Sequence, residues 1–173
     1  MCIRDSSASE NHEAVKAFVI NNEIETVLDV GVGSGTYSNL LREHVDAIYG
    51  VEAWVPYVDE FNLTDKYDEL FVDDVRIINV GELPLVDLVI FGDVLEHMSE
   101  EDSIRVWNDC AKIARWGMVS IPIIHYPQGA EFGNPYEVHV QEHISPDKAR
   151  DMFGPFDHEF VYEVTGTFIK EFK

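Results

Sequence analysis

Three glycines in Asp29-Val-Gly31-Val-Gly33-Ser-Gly35 are the first residues of the chain placed to do chemistry. They follow Thr26–Val30, an apolar run that reads as a buried strand, and precede a helical pattern that begins near Thr36. Glycines at such a junction let the backbone approach a ligand closely. They also leave the N–H groups of a helix start aimed at an anionic or polar group, with Val32 presented between them. Glu52 closes the next apolar run, Ala47–Val51, where a carboxylate can accept both hydroxyls of a ribose. Together these two features predict an adenosine-containing ligand. Further polar residues follow the third and fourth runs, as Asp73-Asp74 and Gly92-Asp93.

A reaction that removes a proton from an alcohol or amine calls for a general base. The candidates are His97, His125, Tyr126, His139 and His143. His125 follows the fifth apolar strand and is expected to face the same crevice as the other strand ends. His139-Val-Gln-Glu-His143, with Glu131 and Glu137 nearby, also raises a metal reading. It is not the H-E-x-x-H pattern, and Gly133 and Pro135 mark the segment as loop, so no metal site is expected.

The elements that must hold these residues alternate. A helix is expected from Ser9, with Ala14, Ala17, Phe18 and Asn21 on one face. Strands are expected over 26–30, 47–51, 69–72, 86–91 and 116–123, with helices between them. Ser99 and Asp102 form a capping-box-like start for the helix before the fifth strand. A turn-rich loop over 124–144 is followed by a helix over 145–153 and a hairpin, 159–164 with 167–172, turned at Thr165-Gly166. Such alternation predicts an α/β fold, a Rossmann-like, doubly wound, seven-stranded and mostly parallel sheet with a C-terminal antiparallel hairpin. Ligands in that architecture bind outside the carboxyl ends of the strands, at the topological switch point. One domain over 9–173 is expected, with 124–144 as a lid over a substrate. Residues 1–8 lack both periodicity and the apolar segment of a signal peptide, and read as a disordered or non-native leader.

Composition narrows the partners. The chain has 12 Lys and Arg against 33 Asp and Glu, a net charge of −21. That balance opposes binding to nucleic acid or to an anionic membrane surface, both of which need basic patches. It favours a small neutral or cationic ligand. Cys2 and Cys110 form no CxxC pair, which fits a reducing compartment and a cytoplasmic protein.

The dinucleotide fingerprint requires glycine where Thr36 stands. The chain resembles instead the class I S-adenosylmethionine-dependent methyltransferases. Val27-Leu-Asp-Val-Gly-Val-Gly-Ser-Gly-Thr36 resembles that family's first motif, and Tyr49-Gly-Val-Glu52 its second. Phe71-Val-Asp-Asp74-Val75 looks like the segment whose Asp side chain and following amide hold adenine. Asp87-Leu-Val-Ile-Phe-Gly-Asp-Val-Leu-Glu-His97 is similar to the fourth-strand signature of the small-molecule branch. The resemblance covers about residues 10–173, and four motifs in order are more specific than any one of them.

The resemblance implies S-adenosylmethionine as cofactor, S-adenosylhomocysteine as product, and methyl transfer to a small molecule, foremost at oxygen. It places Gly31, Val32, Gly33 and Gly35 under the methionine moiety, with Asp29 orienting that loop or the amino group. Glu52 then takes the ribose, Asp74 and Val75 the adenine, and Gly92-Asp93 the methionine end beside the acceptor. His139 resembles a histidine that precedes the next helix in this branch, which makes it, with His125, a candidate base. A non-catalytic binder of the same cofactor, another enzyme consuming it, and a nucleic-acid methyltransferase are the alternatives.

Overall fold

Each of the first four strands is followed by a segment that returns along the sheet, so successive strands enter it in the same direction. The computed structural model describes residues 7–172, with side chains from Ser9. The leader expected over 1–8 lies outside the described residues except for Ser7 and Ala8, which begin a short helix α1, Ser7–Glu10. The strands are β1 Thr26–Val30, β2 Ala47–Val51, β3 Glu69–Phe71, β4 Val86–Gly92, β5 Ala114–Pro122, β6 His158–Val161 and β7 Thr165–Glu171. Their order is β3-β2-β1-β4-β5-β7-β6. The first five pair in parallel, and β7 runs antiparallel between β5 and β6. The order reverses between β1 and β4, which places the switch point beside the glycine-rich turn. This is the Rossmann-like sheet expected from the alternation.

Both faces of the sheet are covered. Val89 and Phe91 of β4 join a core under α5, Glu100–Cys110, and α6, Pro146–Phe153. Leu88 and Ile90 point the other way, to a core shared by α2, His12–Asn21, α3, Thr36–Leu41, and α4, Val55–Glu60. The Ser99 hydroxyl caps α5 by accepting from the Asp102 amide at 3.1 Å. Trp107 of α5 fills the space between Phe91, Phe153 and Phe172. Among the described residues no helix is long and apolar enough to cross a membrane.

Two expectations are corrected. The buried face of α2 is Val15, Phe18 and Val19, whereas Ala17 and Asn21 are exposed. Valine buries more apolar surface than alanine, and the face carrying the two valines turns inward. The hairpin turns at 162–164, where the Tyr162 amide donates to the Thr165 carbonyl at 2.9 Å, so Thr165 and Gly166 already belong to β7. Gly166 serves packing instead of turning. A Cβ there would lie 2.6 Å from Phe168 and 2.7 Å from Ile123.

The 124–144 loop is bound down along its length. It contains short turns at Glu131–Gly133 and Pro135–Glu137. The amides of Val140 and Gln141 both donate to the Glu96 carbonyl, at 3.0 and 2.9 Å. The loop is thereby tied to Leu95–His97, the turn that follows β4.

Candidate functional site

A cleft of about 540 Å³ opens at the carboxyl ends of β1, β2, β3 and β4. Its wall at β1 is the glycine turn. Gly31, Gly33 and Gly35 have φ of +70°, +51° and +82°, values that L side chains adopt at a penalty. The Gly31 amide donates to the Val51 carbonyl at 2.8 Å, which joins the turn to the end of β2. Val32 is buried in the core below the turn, and Gly31 and Gly33 border the cleft. Nothing lies within 4 Å of a Cβ built at Gly33, so the turn leaves an open cradle there. Gly35 stands behind the wall, packed against Lys66.

Glu52 is 5% exposed and accepts two backbone hydrogen bonds. Its Oε2 takes the Gly33 amide at 3.0 Å and its Oε1 the Trp54 amide at 2.7 Å. Burial raises its pKa, and these two bonds work against the shift. The carboxylate therefore shapes the glycine turn as well as facing the cleft. Asp74 and Val75 line the next section of wall. Asp74 accepts from Nε of Arg76 at 3.0 Å and from its Nη2 at 2.5 Å. Burial works to raise the Asp74 carboxyl, but Arg76 outweighs it and holds it below its ordinary value. The Arg76 guanidinium also sits 5.8 Å from the ring of Tyr136, a loop residue that borders the cleft.

Asp29 is buried beneath the turn and accepts from the Tyr67 hydroxyl at 2.7 Å. Burial pushes its carboxyl up to about 7, with Tyr67 opposing and the charge of Glu52 adding to the shift. Folding thus favours the neutral acid. This contribution to stability is present below pH 4, near its ordinary value of 3.8, and is lost as pH rises to about 7. Asp29→Asn keeps an acceptor for Tyr67 and cannot ionise. The midpoint of the variant minus that of the native chain is expected to grow by about 5 °C or more between pH 4.5 and 7.5, read by thermal unfolding across that range. A difference that stays flat with pH would show Asp29 ionising freely in the fold.

At β4, Gly92 admits the Tyr37 ring, whose Cε2 would lie 2.1 Å from a Cβ. Asp93 has φ +55° and borders the cleft. Its Oδ1 is buried without a hydrogen-bond partner, and burial pushes the carboxyl up to about 7. His97 follows on the cleft wall. Its Nδ1 faces the Val138 carbonyl at 3.2 Å, and burial together with the neighbouring His139 lowers its pKa to about 4.

The two base candidates part company. His125 is exposed, its side chain 65% accessible and 4.0 Å from Glu142, outside the cleft. The expectation that it faces the crevice fails because β5 ends at Pro122, and the chain then follows the hairpin, with the Ile123 amide donating to the Val164 carbonyl at 2.8 Å. His139 is buried against His97, ring centroids 4.7 Å apart, and burial lowers its pKa. The sequence reading missed Tyr136 and Tyr57, and named Glu137 only beside the metal reading and not as a cleft residue. All three border the cleft, and the Tyr57 hydroxyl donates to Glu137 Oε1 at 2.9 Å. Their only signal was the length of the loop that carries two of them.

Residues 28–119 match the family model described as methyltransferase domain. Among solved structures, an S-adenosylmethionine-dependent methyltransferase from Clostridium acetobutylicum is 9% identical, with a TM-score of 0.74 over 97% of this chain and 93% of that one. The PH0226 protein from Pyrococcus horikoshii is 14% identical, with a TM-score of 0.71 over 98% and 92% of the two chains. Magnesium protoporphyrin IX methyltransferase from Synechocystis, solved with S-adenosylhomocysteine bound, is 16% identical, with a TM-score of 0.68 over 92% and 81%. These likenesses are of fold. A search of the curated proteins finds none that matches.

Proposed function

The chain belongs to the methyltransferase-domain family as a class I S-adenosylmethionine-dependent methyltransferase, and from that premise we propose that it methylates a small acceptor at an oxygen atom. The observation that carries the proposal is the convergence of Gly31–Gly33, Glu52, Asp74–Val75 and Gly92–Asp93 on one cleft. The open cradle at Gly33 fits the cofactor, because it admits a ligand where any side chain would stand. When bound, S-adenosylmethionine supplies an electrophilic methyl carbon on a sulfonium cation.

The chain's own residues have distinct tasks. Gly31, Val32 and Gly33 pass under the methionine moiety, and Glu52 accepts from the ribose. Asp74 and Val75 hold the adenine, with Arg76 paired to Asp74 and Tyr136 packed on Arg76, both on the same cleft wall. Gly92 and Asp93 border the methionine end, where the unpartnered Asp93 oxygen offers an acceptor to a cation. Asp29 and Gly35 act from below, supporting the turn. The 124–144 loop lines the acceptor side, with Phe132, Asn134 and Tyr136 on the wall. Of the two candidate histidines, His125 is exposed and His139 is buried against His97, which borders the cleft, and that contact supports His139 over His125 as the one to influence a proton on the acceptor.

A net charge of −21 supports a small acceptor over nucleic acid. Cys110, a buried thiol, suits the cytoplasm. The test is incubation with cofactor labelled in the methyl group, against a panel of phenols, hydroxy acids, sugars and amines, with duplex DNA and RNA as further arms. Label is expected in a hydroxylated small molecule. Label in nucleic acid or only in amines would overturn the acceptor class. Cofactor bound with no transfer to any arm would favour a binding protein.

A further inference from the structure

Glu96 is 2% exposed, and neither carboxylate oxygen has a hydrogen-bond partner. A buried carboxylate in that condition is costly unless a cation or proton accompanies it. It is also crowded, since Asp93 and Glu137 both act on it as like charges. Two imidazoles are its neighbours. Glu96, His97 and His139 each offer a ligand atom, and these atoms all lie within 4.8 Å of one another.

Both rings are oriented by carbonyls. Nδ1 of His139 lies 2.6 Å from the Tyr126 oxygen, and Nδ1 of His97 lies 3.2 Å from the Val138 oxygen. A carbonyl only accepts, so Nδ1 of each ring carries the hydrogen and the lone pair is on Nε2. Backbone carbonyls commonly set metal-binding imidazoles in this tautomer. The Glu96 carbonyl meanwhile holds the amides of Val140 and Gln141, which keeps the turn carrying Glu96 and His97 against the strand of loop carrying His139.

We propose that Glu96, His97 and His139 form a site for a first-row divalent cation, such as Mn²⁺, Co²⁺ or Zn²⁺, at the acceptor end of the cleft. The donor set, two imidazole nitrogens and one carboxylate oxygen, suits these ions better than Mg²⁺ or Ca²⁺. Ligand atoms at about 2.1 Å from an ion stand about 3.0–3.4 Å apart, so closing the set requires movement of about 1.5 Å. Three protein ligands leave positions open, and His97 is on the cleft wall, so those positions face the acceptor. An ion there coordinates an acceptor hydroxyl and makes it more acidic, and the proton leaves to bulk water. That role rests on the oxygen-methylation reading above. It also explains why no exposed histidine is needed as base.

The test uses the full chain, stripped with chelator and titrated with Mn²⁺, Co²⁺ and Zn²⁺. Metal is counted by mass spectrometry, coordination is followed by the Co²⁺ absorption bands, and S-adenosylhomocysteine affinity is measured in parallel by calorimetry. One ion per chain is expected, with histidine nitrogen in its sphere. Glu96→Gln and His139→Ala should each weaken ion binding at least about 100-fold while leaving S-adenosylhomocysteine affinity within about three-fold, which also shows that they fold. Failure of the stripped native chain to bind any of the ions overturns the site, as does binding that neither substitution changes. Ion binding without S-adenosylhomocysteine binding would instead overturn the transfer reading, and with it the acceptor role. Full transfer to a hydroxylated acceptor in excess chelator would leave the methyltransferase intact and overturn the metal.

Discussion

Glu52→Ala is expected to weaken S-adenosylhomocysteine binding by roughly 100-fold or more, measured by titration calorimetry. The carboxylate has two tasks, and alanine removes both. Its oxygens hold the Gly33 and Trp54 amides at 3.0 and 2.7 Å, and those bonds join the glycine turn to the segment after β2. Without them two backbone donors lose their partner, and the turn loses the constraint that keeps its cradle open. The ribose loses its acceptor as well. Hydrogen bonds to a charged group contribute about 1.5–3 kcal/mol each, so losing two corresponds to two orders of magnitude or more in affinity. Glu52→Gln separates the tasks. Its amide oxygen can keep one backbone donor, but its NH₂ opposes the other, so an intermediate loss of about 10-fold to 30-fold is expected. An alanine variant that binds within three-fold of the native chain would remove Glu52 from the cofactor site.

The strand ends were legible because parallel α/β topology leaves little choice about where they go. Once Thr26–Val30 and Ala47–Val51 read as neighbouring buried strands, Gly31 and Glu52 had to meet at one edge of the sheet, and they do, through Gly33. Side-chain direction was less legible. Asp29 and Gly35 belong to the glycine motif by spacing, yet they stand beneath and behind the wall, because alternation along β1 and the turn into α3 aim them inward. The juxtaposition of Glu96 with His139 was out of reach. It depends on backbone bonds from Val140 and Gln141 to the Glu96 carbonyl, and backbone bonds leave no pattern in residue types. For the same reason His125 and His139 looked equivalent as loop histidines, although one is exposed and the other buried.

Two alanine substitutions in one turn should divide stability from binding. Gly33 and Gly31 both have positive φ, so alanine at either carries a backbone penalty of about 1–2 kcal/mol. Their surroundings differ. A Cβ at Gly31 would lie 2.5 Å from Val94 Cγ2, and the valine must move together with the turn that presents Glu96 and His97. Overpacking of this kind adds about 1–3 kcal/mol, so Gly31→Ala should lower the unfolding midpoint clearly. A Cβ at Gly33 meets nothing within 4 Å, so Gly33→Ala should show little beyond the backbone penalty. Its methyl group, however, stands in the cleft where the proposed methionine moiety passes. Gly33→Ala is therefore expected to lose at least about 30-fold in S-adenosylhomocysteine affinity for a midpoint change of only a few degrees. The comparison is decisive because an affinity loss that merely tracked unfolding would be larger in Gly31→Ala. If Gly33→Ala binds as the native chain does while its midpoint falls, the turn is a structural corner, and the ligand lies elsewhere in the cleft.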